Sequence, residues 1–184
     1  MKECKRIAVL FSGKGSNFSH IVKALHPDEA EVVVALTNNP AAGGIEVAKE
    51  AGIPLEIVDS KVYDSRKAFD REVVERLQRY APDLTVLAGF MRILTPVFTE
   101  NVKAVNLHPS LLPRHKGLHA IEKSYHDAHD TGGVSVHWVT SELDAGEIIL
   151  QKEISKEGLT LEAYDRKIRQ TEKEALVEAI RRVL

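Results

Sequence analysis

Short apolar runs alternate along the chain with segments in which apolar residues recur at helical spacing. The runs are too short to be helices, and runs of this length are typical of strands that are buried on both faces. Strands that alternate with helices predict a parallel sheet covered by helices on both sides. The five predicted strands in this part of the chain are Arg6–Phe11, Glu31–Leu36, Leu55–Val58, Leu84–Phe90 and Ala104–His108.

A clear helical segment separates the third and fourth predicted strands. In this segment Phe69, Val73 and Leu77 recur every four residues and the positions between them are mostly charged, which predicts a surface helix with one buried face. Crossovers between parallel strands are nearly always right-handed. The elements are therefore expected to form one α/β domain built on a doubly wound, mostly parallel, Rossmann-like sheet.

The pattern changes in the later part of the chain. Residues Leu118–His129 are predicted to be helical, Thr131–Gly133 to form a turn, and two alternating segments on either side of Ser141–Glu147 to be strands. Alternation of apolar and polar positions around a glycine-containing connection favours an antiparallel or mixed extension of the sheet. A long helix is expected to follow, from Thr160 to about Arg182.

The composition of the chain sets limits on its class. With 184 residues, of which 43% are hydrophobic, it is long enough for one domain with a full core. Lys and Arg number 25 against 27 Asp and Glu, so neither nucleic acid nor a membrane surface is expected as a partner. The single cysteine, Cys4, excludes a disulfide framework, and no apolar run has the length of a signal peptide or membrane span. A cytoplasmic protein is expected.

Ligands bind open α/β sheets beyond the carboxyl ends of the strands, so the residues there are candidates for a site. The first strand ends in the residues SGKGSNF, Ser12–Phe18. Glycines permit a tight turn, Ser16 and Asn17 are expected to cap the next helix, and its N-terminal amides are suited to a phosphate. The spacing fits neither the dinucleotide fingerprint nor the Walker loop, and a plain strand-to-helix turn is the alternative.

The fourth strand ends in the residues AGFMRILTP, and this loop is rich in apolar side chains. Such side chains are suited to line a slot for a flat ring, and the Thr-Pro pair predicts the start of a helix. The alternative is that the apolar residues of this loop belong to the core. They are Phe90, Met91, Ile93 and Leu94.

The fifth strand ends in the residues NLHPSLLP. Side chains alternate faces along a strand, so Asn106 and His108 are expected to point the same way. An amide beside an imidazole is suited to stabilise an oxyanion, and Pro109 and Pro113 make the following loop rigid. Asp144, in the connection between the two late strands, is a candidate to orient His108. The alternatives are a structural histidine and, for Asp144, a plain hairpin turn.

Eight histidines raise the question of a metal site. His126 and His129 have helical spacing, but the charged residues around them indicate a solvent-exposed face, so a metal is not expected. A serine nucleophile is not expected either, because Ser110 lies in the same turn as His108 and the chain has no G-x-S-x-G elbow.

Four segments taken together carry a family resemblance: GKGSNF, LAGFMRIL, NLHPSLLPRHKGLHA and VHWVTSELDAGEIILQ. They resemble the phosphoribosylglycinamide formyltransferase family, folate-dependent enzymes of purine synthesis, from about Arg6 to Glu174. The N-x-H-P-S-L-L-P run and the later Asp-x-Gly segment are shared with other enzymes that use formyltetrahydrofolate, whereas GSNF and GLHA distinguish the glycinamide enzymes. The resemblance implies a Rossmann-like sheet of the formyltransferase type.

The resemblance also implies a reaction. Members of this family transfer the formyl group of 10-formyltetrahydrofolate to the amine of 5'-phosphoribosylglycinamide in de novo purine biosynthesis. Asn106 and protonated His108 would stabilise the tetrahedral intermediate, and Asp144 would hold the imidazole in its charged form. Formyltetrahydrofolate deformylase, a hydrolase, is the alternative enzyme, and a nucleotide-binding regulatory domain is an alternative from another class.

The remaining assignments also come from the resemblance. Residues 1–184 are expected to form a single formyltransferase domain, with the ribonucleotide phosphate in the half 1–100 and catalysis and folate in the half 101–184. Its partners would be the two small molecules, with no metal, and the chain would be a monomer or a homodimer. The ribonucleotide would contact Gly15, Ser16, Asn17 and Glu172, and the folate would contact Arg66, Met91, Arg92, Ile93, Leu94, Asn106, Thr140, Ser141, Glu142, Leu143 and Asp144.

Overall fold

The computed structural model describes residues 3–184, and within them seven strands form the sheet. The strands are Lys5–Phe11 (β1), Ala30–Thr37 (β2), Leu55–Ile57 (β3), Leu84–Leu87 (β4), Ala104–His108 (β5), Thr131–Trp138 (β6) and Ile148–Ser155 (β7). They are hydrogen-bonded in the order β3-β2-β1-β4-β5-β6-β7. β1 pairs in parallel with β2 and β4, and β2 with β3, whereas β6 and β7 are antiparallel. The predicted mostly parallel α/β sheet with a mixed C-terminal extension is therefore confirmed.

Helices lie between most of these strands along the chain. The α-helices of the described residues are Ser16–Leu25 (α1), Gly44–Glu50 (α2), Arg66–Gln78 (α3), Pro96–Thr99 (α4), Ala120–His126 (α5) and Leu161–Val183 (α6), and Ser60–Val62 forms a single 3₁₀ turn. None of the helices within residues 3–184 combines the length and apolar character that a membrane crossing requires.

The chain divides into two compact units, one that runs to Val105 and also includes Leu184, and one that spans Asn106–Val183. In the first, the strand residues Ile7–Phe11 are fully buried, which explains why this strand is an unbroken apolar run rather than an alternating one. In the second, α6 packs its apolar face on β6 and β7. The predicted roles of the halves 1–100 and 101–184 stay predictions.

The fourth strand is shorter than the sequence predicts. It ends at Leu87 instead of Phe90, because Gly89 has a φ of 78° and turns the chain out of the extended conformation. The backbone nevertheless stays tied to β1, since the Ser12 N–H donates to the Gly89 carbonyl at 2.9 Å. The residues after Leu87 are therefore a loop fixed at the carboxyl end of β1.

The turn predicted at Thr131–Gly133 is wrong, because these residues begin β6. A Cβ atom on Gly132 would overlap the Tyr164 hydroxyl of α6, and one on Gly133 would overlap the Lys152 carbonyl of β7. The glycines are thus required by close packing between elements and not by a reversal of the chain.

The predicted capping of the first helix is also wrong. Gly15, with a φ of 78°, is the N-cap of α1, and no side chain makes a capping hydrogen bond there. Ser16 is already the first helical residue. Gly15 is needed because a Cβ atom at this position would overlap the Gly44 backbone at the start of α2, so the two loops meet backbone to backbone.

The predicted helix Leu118–His129 is shorter in the structure. Gly117 and His119 have φ values of 79° and 60°, which keep the chain out of the helix until Ala120. Asp127 is extended and leaves the helix after His126. His126 and His129 therefore do not share a helical face.

Candidate active site

The end of β5 carries the central residues of the site. Ala104 and Val105 are buried in the sheet, and the strand then continues through Asn106 and Leu107 to His108, where it ends. His108 is only 6% exposed. Because side chains alternate faces along the strand, an amide and a buried imidazole lie two residues apart at its carboxyl end.

The His108 ring is held through one of its two nitrogens. Its Nε2 lies 2.7 Å from the backbone oxygen of His115. A carbonyl oxygen only accepts hydrogen bonds, so Nε2 carries a hydrogen in this arrangement. The other nitrogen, Nδ1, lies 3.5 Å from Asp144 Oδ2. Nδ1 therefore faces the Asp144 carboxylate, while Nε2 faces a carbonyl group.

Asp144 reaches this ring from the loop 139–147, which connects β6 and β7. Its φ of 51° lies in the left-handed region, which Asp tolerates better than most residues. Its Oδ2 accepts a hydrogen bond from the Gly117 N–H at 2.9 Å. Asp144 is 7% exposed, so its negative charge acts on His108 with little screening by water. Asp144 thus lies in the connection between two antiparallel strands and also contacts the imidazole.

A second histidine, His137 on β6, orients Asn106. Burial lowers the pKa of His137 below its usual range, although Asp144 Oδ1 lies 3.8 Å from its Nε2. His137 Nδ1 lies 2.9 Å from the Trp138 carbonyl and donates to it, which leaves Nε2 as an acceptor. Asn106 Nδ2, 3.3 Å away, donates to that nitrogen. The amide is thereby fixed with its NH₂ group toward His137.

His137 was not among the site residues predicted from the sequence. Its signal was available in the segment VSVHW, where Ser135 and His137 alternate with Val134 and Val136. All four are buried in the structure. Two buried polar residues on one face of a predicted strand would have indicated hydrogen-bond partners on that face.

The loop after His108 is fixed by a buried hydroxyl group. Ser135 Oγ donates to the Ser110 carbonyl at 2.7 Å and accepts hydrogen bonds from the Leu112 N–H and from Gln151 Nε2. Ser135 and Ser110 are fully buried. Rigidity of this loop was predicted from the two prolines. Hydrogen bonds that involve Ser135 of β6 and Gln151 of β7 also hold the loop in place.

In the first unit, the predicted phosphate residues lie at the start of α1. Ser16 is exposed, Asn17 is half-buried, and Gly15 is buried beneath them. The intrahelical hydrogen bonds of α1 begin with the Ser19 N–H, which donates to the Gly15 carbonyl at 2.8 Å. The preceding N–H groups of the first turn are the ones a phosphate would use.

The loop after β4 exposes part of its apolar side chains. Met91 is 69% and Ile93 57% exposed, whereas Phe90 is buried. The alternative that these apolar residues belong to the core is therefore correct for Phe90 but not for Met91 or Ile93. Arg92 places its guanidinium 4.8 Å from the centre of the Phe69 ring, and its buried Nε has no hydrogen-bond partner among the described residues. Leu94 is half-buried.

The other predicted substrate residues lie in three places. Arg66 is exposed at the first position of α3. Glu172 is buried on α6, with Oε2 3.8 Å from an Arg169 nitrogen. The remaining predicted folate residues belong to the exposed part of the loop before Asp144; they are Thr140, Ser141, Glu142 and Leu143. Within residues 3–184, no cluster of His, Cys, Asp and Glu side chains has the arrangement of a metal site.

Comparisons with known proteins find relatives along nearly the whole chain. The family described as Formyl transferase matches residues 5–180. The phosphoribosylglycinamide formyltransferase of Escherichia coli is 42% identical over 152 residues, which cover 80% of this chain and 72% of that protein. The crystal structure of phosphoribosylglycinamide formyltransferase from Campylobacter jejuni has a TM-score of 0.96 and 47% identity, and the match covers 98% of both chains.

A longer relative matches through one part of its length. The trifunctional purine biosynthetic protein adenosine-3 of Bos taurus is 37% identical over 183 residues, which are 97% of this chain but only 18% of that protein. Together with the preceding matches, this relative confirms the resemblance predicted from the sequence.

Proposed function

We propose, because the chain belongs to the formyl transferase family, that it is the formyl-transferring enzyme of purine biosynthesis. Its substrates are 10-formyltetrahydrofolate and 5'-phosphoribosylglycinamide, and the primary amine of the second takes the formyl group from the first. The observation that best supports this function is the pairing of His108 with Asp144 at 3.5 Å at the end of β5, where Asn106 lies two residues earlier and is oriented by His137.

The reaction makes one bond and breaks one bond. The amine nitrogen attacks the formyl carbon, and the carbonyl electron pair moves onto oxygen to give a tetrahedral oxyanion. When the oxyanion collapses, the bond between the formyl carbon and N10 of the folate breaks. In total one proton passes from the amine to N10, so the reaction balances without a further reactant.

Two donors of this site are free for the oxyanion. Asn106 uses one N–H of its amide on His137 and retains a second. Protonated His108 uses its Nε2–H on the His115 carbonyl, which leaves the Nδ1–H. Asp144 stabilises the positive charge of that ring from 3.5 Å. We assign the transfer of the proton to His108 Nδ1 as well, because Nε2 is committed to the His115 carbonyl. The imidazolium gives its Nδ1 proton to N10, and Nδ1 then takes the proton that the amine loses.

Burial of the catalytic groups favours transfer over hydrolysis. His108 and Asp144 are 6% and 7% exposed, so few water molecules compete with the amine at the formyl carbon. Low local polarity also strengthens the attraction between the imidazolium and the carboxylate. The arrangement is therefore suited to an acceptor that binds and excludes water.

The remaining residues are proposed to bind the substrates. The first turn of α1 would hold the phosphate of the ribonucleotide through its N–H groups, at Gly15, Ser16 and Asn17, and Glu172 would hold the rest of this substrate. Exposed Met91 and Ile93 would contact the flat ring of the folate. Arg66 or Arg92 would face its acidic tail, and the other folate contacts would be Leu94, Asn106 and the segment 140–144.

The test is an absorbance assay that follows the loss of formyltetrahydrofolate with and without the ribonucleotide. We expect turnover only when the ribonucleotide is present. Asn106→Ala and His108→Ala should each lower kcat by about 100- to 1000-fold, since removing one oxyanion donor raises the barrier by about 2.7–4 kcal/mol. The matched control is His129→Ala, because His129 is exposed and distant in sequence from both strand-end residues.

Each other outcome has a definite meaning. Loss of formyltetrahydrofolate at the same rate without the ribonucleotide would identify a hydrolase. Turnover close to that of the unmodified protein in both alanine variants would remove Asn106 and His108 from the mechanism. If the unmodified protein shows no turnover under either condition, the alternative that Asn106 and His108 have a structural role would be favoured.

A further inference from the structure

The carbonyl group that holds His108 belongs to a residue whose side chain lies in a second polar cluster. While the His115 backbone oxygen contacts His108 Nε2 at 2.7 Å, the His115 ring nitrogen Nε2 lies 2.6 Å from Asp127 Oδ2. Asp127 Oδ1 accepts a hydrogen bond from Lys156 Nζ at 2.7 Å. Hydrogen bonds therefore connect Lys156, just after β7, to His115, and the backbone of His115 connects them to the imidazole at the end of β5.

This second cluster, formed by the side chains of His115, Asp127 and Lys156, is partly buried and well paired. The Lys156 side chain is 9% exposed and the Asp127 side chain 15%, and Lys156 Nζ also donates to the Ser124 carbonyl at 2.7 Å. Burial disfavours a charge on Asp127, but hydrogen bonds from Lys156, His115 and the His129 N–H outweigh it and hold the pKa of Asp127 well below its usual range. The carboxylate therefore remains a charged, fixed partner for the His115 ring.

His115 needs support from its side chain because its backbone is unusual. Its φ is 54°, and a non-glycine residue in the left-handed region is strained, so it persists only where the surroundings hold it there. The conformation at this position determines where the carbonyl group points. Two residues later, the Gly117 N–H donates to Asp144. The segment His115–Gly117 thus contacts both His108 and Asp144 through its backbone.

We propose that His115, Asp127 and Lys156 are positioning residues that keep the His115 carbonyl on His108 Nε2. They fix the neutral His108 ring in the tautomer with hydrogen on Nε2, and they leave Nδ1 as the reactive nitrogen. The catalytic consequence rests on the proposed formyl transfer, whereas the tautomer of His108 is a property of the protein without substrates. The three side chains touch neither substrate nor the reacting atoms, so they act through the His115 backbone.

The test uses the full chain and two substitutions. His115→Asn removes the ring but retains a residue type that tolerates a positive φ, and Asp127→Asn removes the charge while retaining the size of the side chain. The first measurement is the nitrogen-15 spectrum of the His108 ring above its titration range, assigned by its absence in His108→Ala. The unmodified protein should show one protonated nitrogen, Nε2, and both variants should show a mixture of the two tautomers.

The second measurement is steady-state turnover of the same proteins. We expect kcat to fall by about 10- to 100-fold, the effect of a small misplacement of a catalytic group, while KM for both substrates stays unchanged. His129→Ala, which alters an exposed ring next to the cluster, should change neither the tautomer nor kcat. The two measurements are independent, so an inactive unmodified protein would contradict the proposed function without affecting the tautomer test.

Three results would overturn the positioning role. The first is an unchanged Nε2–H tautomer in both variants. The second is an unchanged kcat together with a mixed tautomer. The third is a rise in KM together with a lower melting temperature and an unchanged tautomer, which would show that the cluster only stabilises the fold. If His115→Asn does not fold, Asp127→Asn alone decides between these outcomes.

Discussion

At the scale of single residues, the site combines two imidazoles in different roles. His137 accepts a hydrogen bond from Asn106 and must be neutral to do so, whereas His108 has a carboxylate 3.5 Å from its Nδ1 and is suited to carry a charge. Burial lowers the pKa of His137, which favours its neutral form. Two histidines with different surroundings thus offer an orienting acceptor and, in the proposed mechanism, a charged donor.

We predict that His137 makes the stability of the protein depend on pH. Burial lowers its pKa in the folded state, while in the unfolded chain a histidine titrates near about 6.5. Below that pH the unfolded state therefore binds more protons, and the free energy of unfolding should fall as the pH decreases. Urea unfolding from about pH 8 to about pH 5 should show a shallower decrease for His137→Asn than for the unmodified protein.

The control for this prediction is His129→Ala, which removes an exposed histidine. Its pH dependence should match that of the unmodified protein. A His137→Asn protein whose unfolding free energy declines as steeply as before would show that His137 is not the cause.

The candidate residues that local sequence patterns could place together were those in one continuous segment. Strand alternation and two prolines single out Asn106 and His108, because both signals are local. The contacts of Asp144 and His137 are not local, since they arise when the ends of β5 and β6 and a later loop meet. A single sequence contains no measure of that meeting, so the contact of Asp144 stayed an expectation. The partner of His137 was not predicted, although the alternation in VSVHW was visible.

At the scale of elements, the strands were easier to predict than the connections between them. β5 lies at the predicted residues Ala104–His108, because a buried strand is defined by its own apolar residues. The connections depend on neighbours: the glycines of β6 are explained only by α6 and β7. A glycine in a sequence is compatible both with a turn and with a close packing contact, so the sequence does not distinguish the two.

The packing of β6 against α6 gives a second prediction. Gly132→Ala should destabilise the protein by about 1–3 kcal/mol, the usual cost of overfilling a packed site. The added methyl group would overlap the Tyr164 hydroxyl, which shares a hydrogen bond of 2.6 Å with Ser124. Urea unfolding measures the difference. Gly13→Ala is the control, since a methyl group added there would meet no atom within 4 Å beyond its own chain neighbours, and an equal effect of both substitutions would contradict the packing argument.

At the scale of the whole molecule, substrate binding is expected to couple to unfolding. A ligand that binds only the folded chain stabilises it by about 2.7 kcal/mol at one hundred times its dissociation constant. The chain has a net charge of −2, so a phosphate is not attracted by overall charge and depends on local donors. The start of α1 offers such donors.

We therefore predict that glycinamide ribonucleotide raises the melting temperature and that this shift depends on the first turn of α1. Asn17→Ala should retain the melting temperature of the free protein but show a smaller shift at the same ribonucleotide concentration. Differential scanning fluorimetry across a concentration series measures both quantities. An identical shift in the two proteins would place the phosphate elsewhere.

The hydroxyl of Ser135 has a consequence for hydrogen exchange. The Leu112 amide lies in a loop without regular secondary structure, and it donates a hydrogen bond to this fully buried oxygen. Exchange with solvent deuterium requires that bond to open. The Leu112 amide should thus exchange as slowly as amides of the central strands, and the segment after His108 should resist proteases as if it were part of the core.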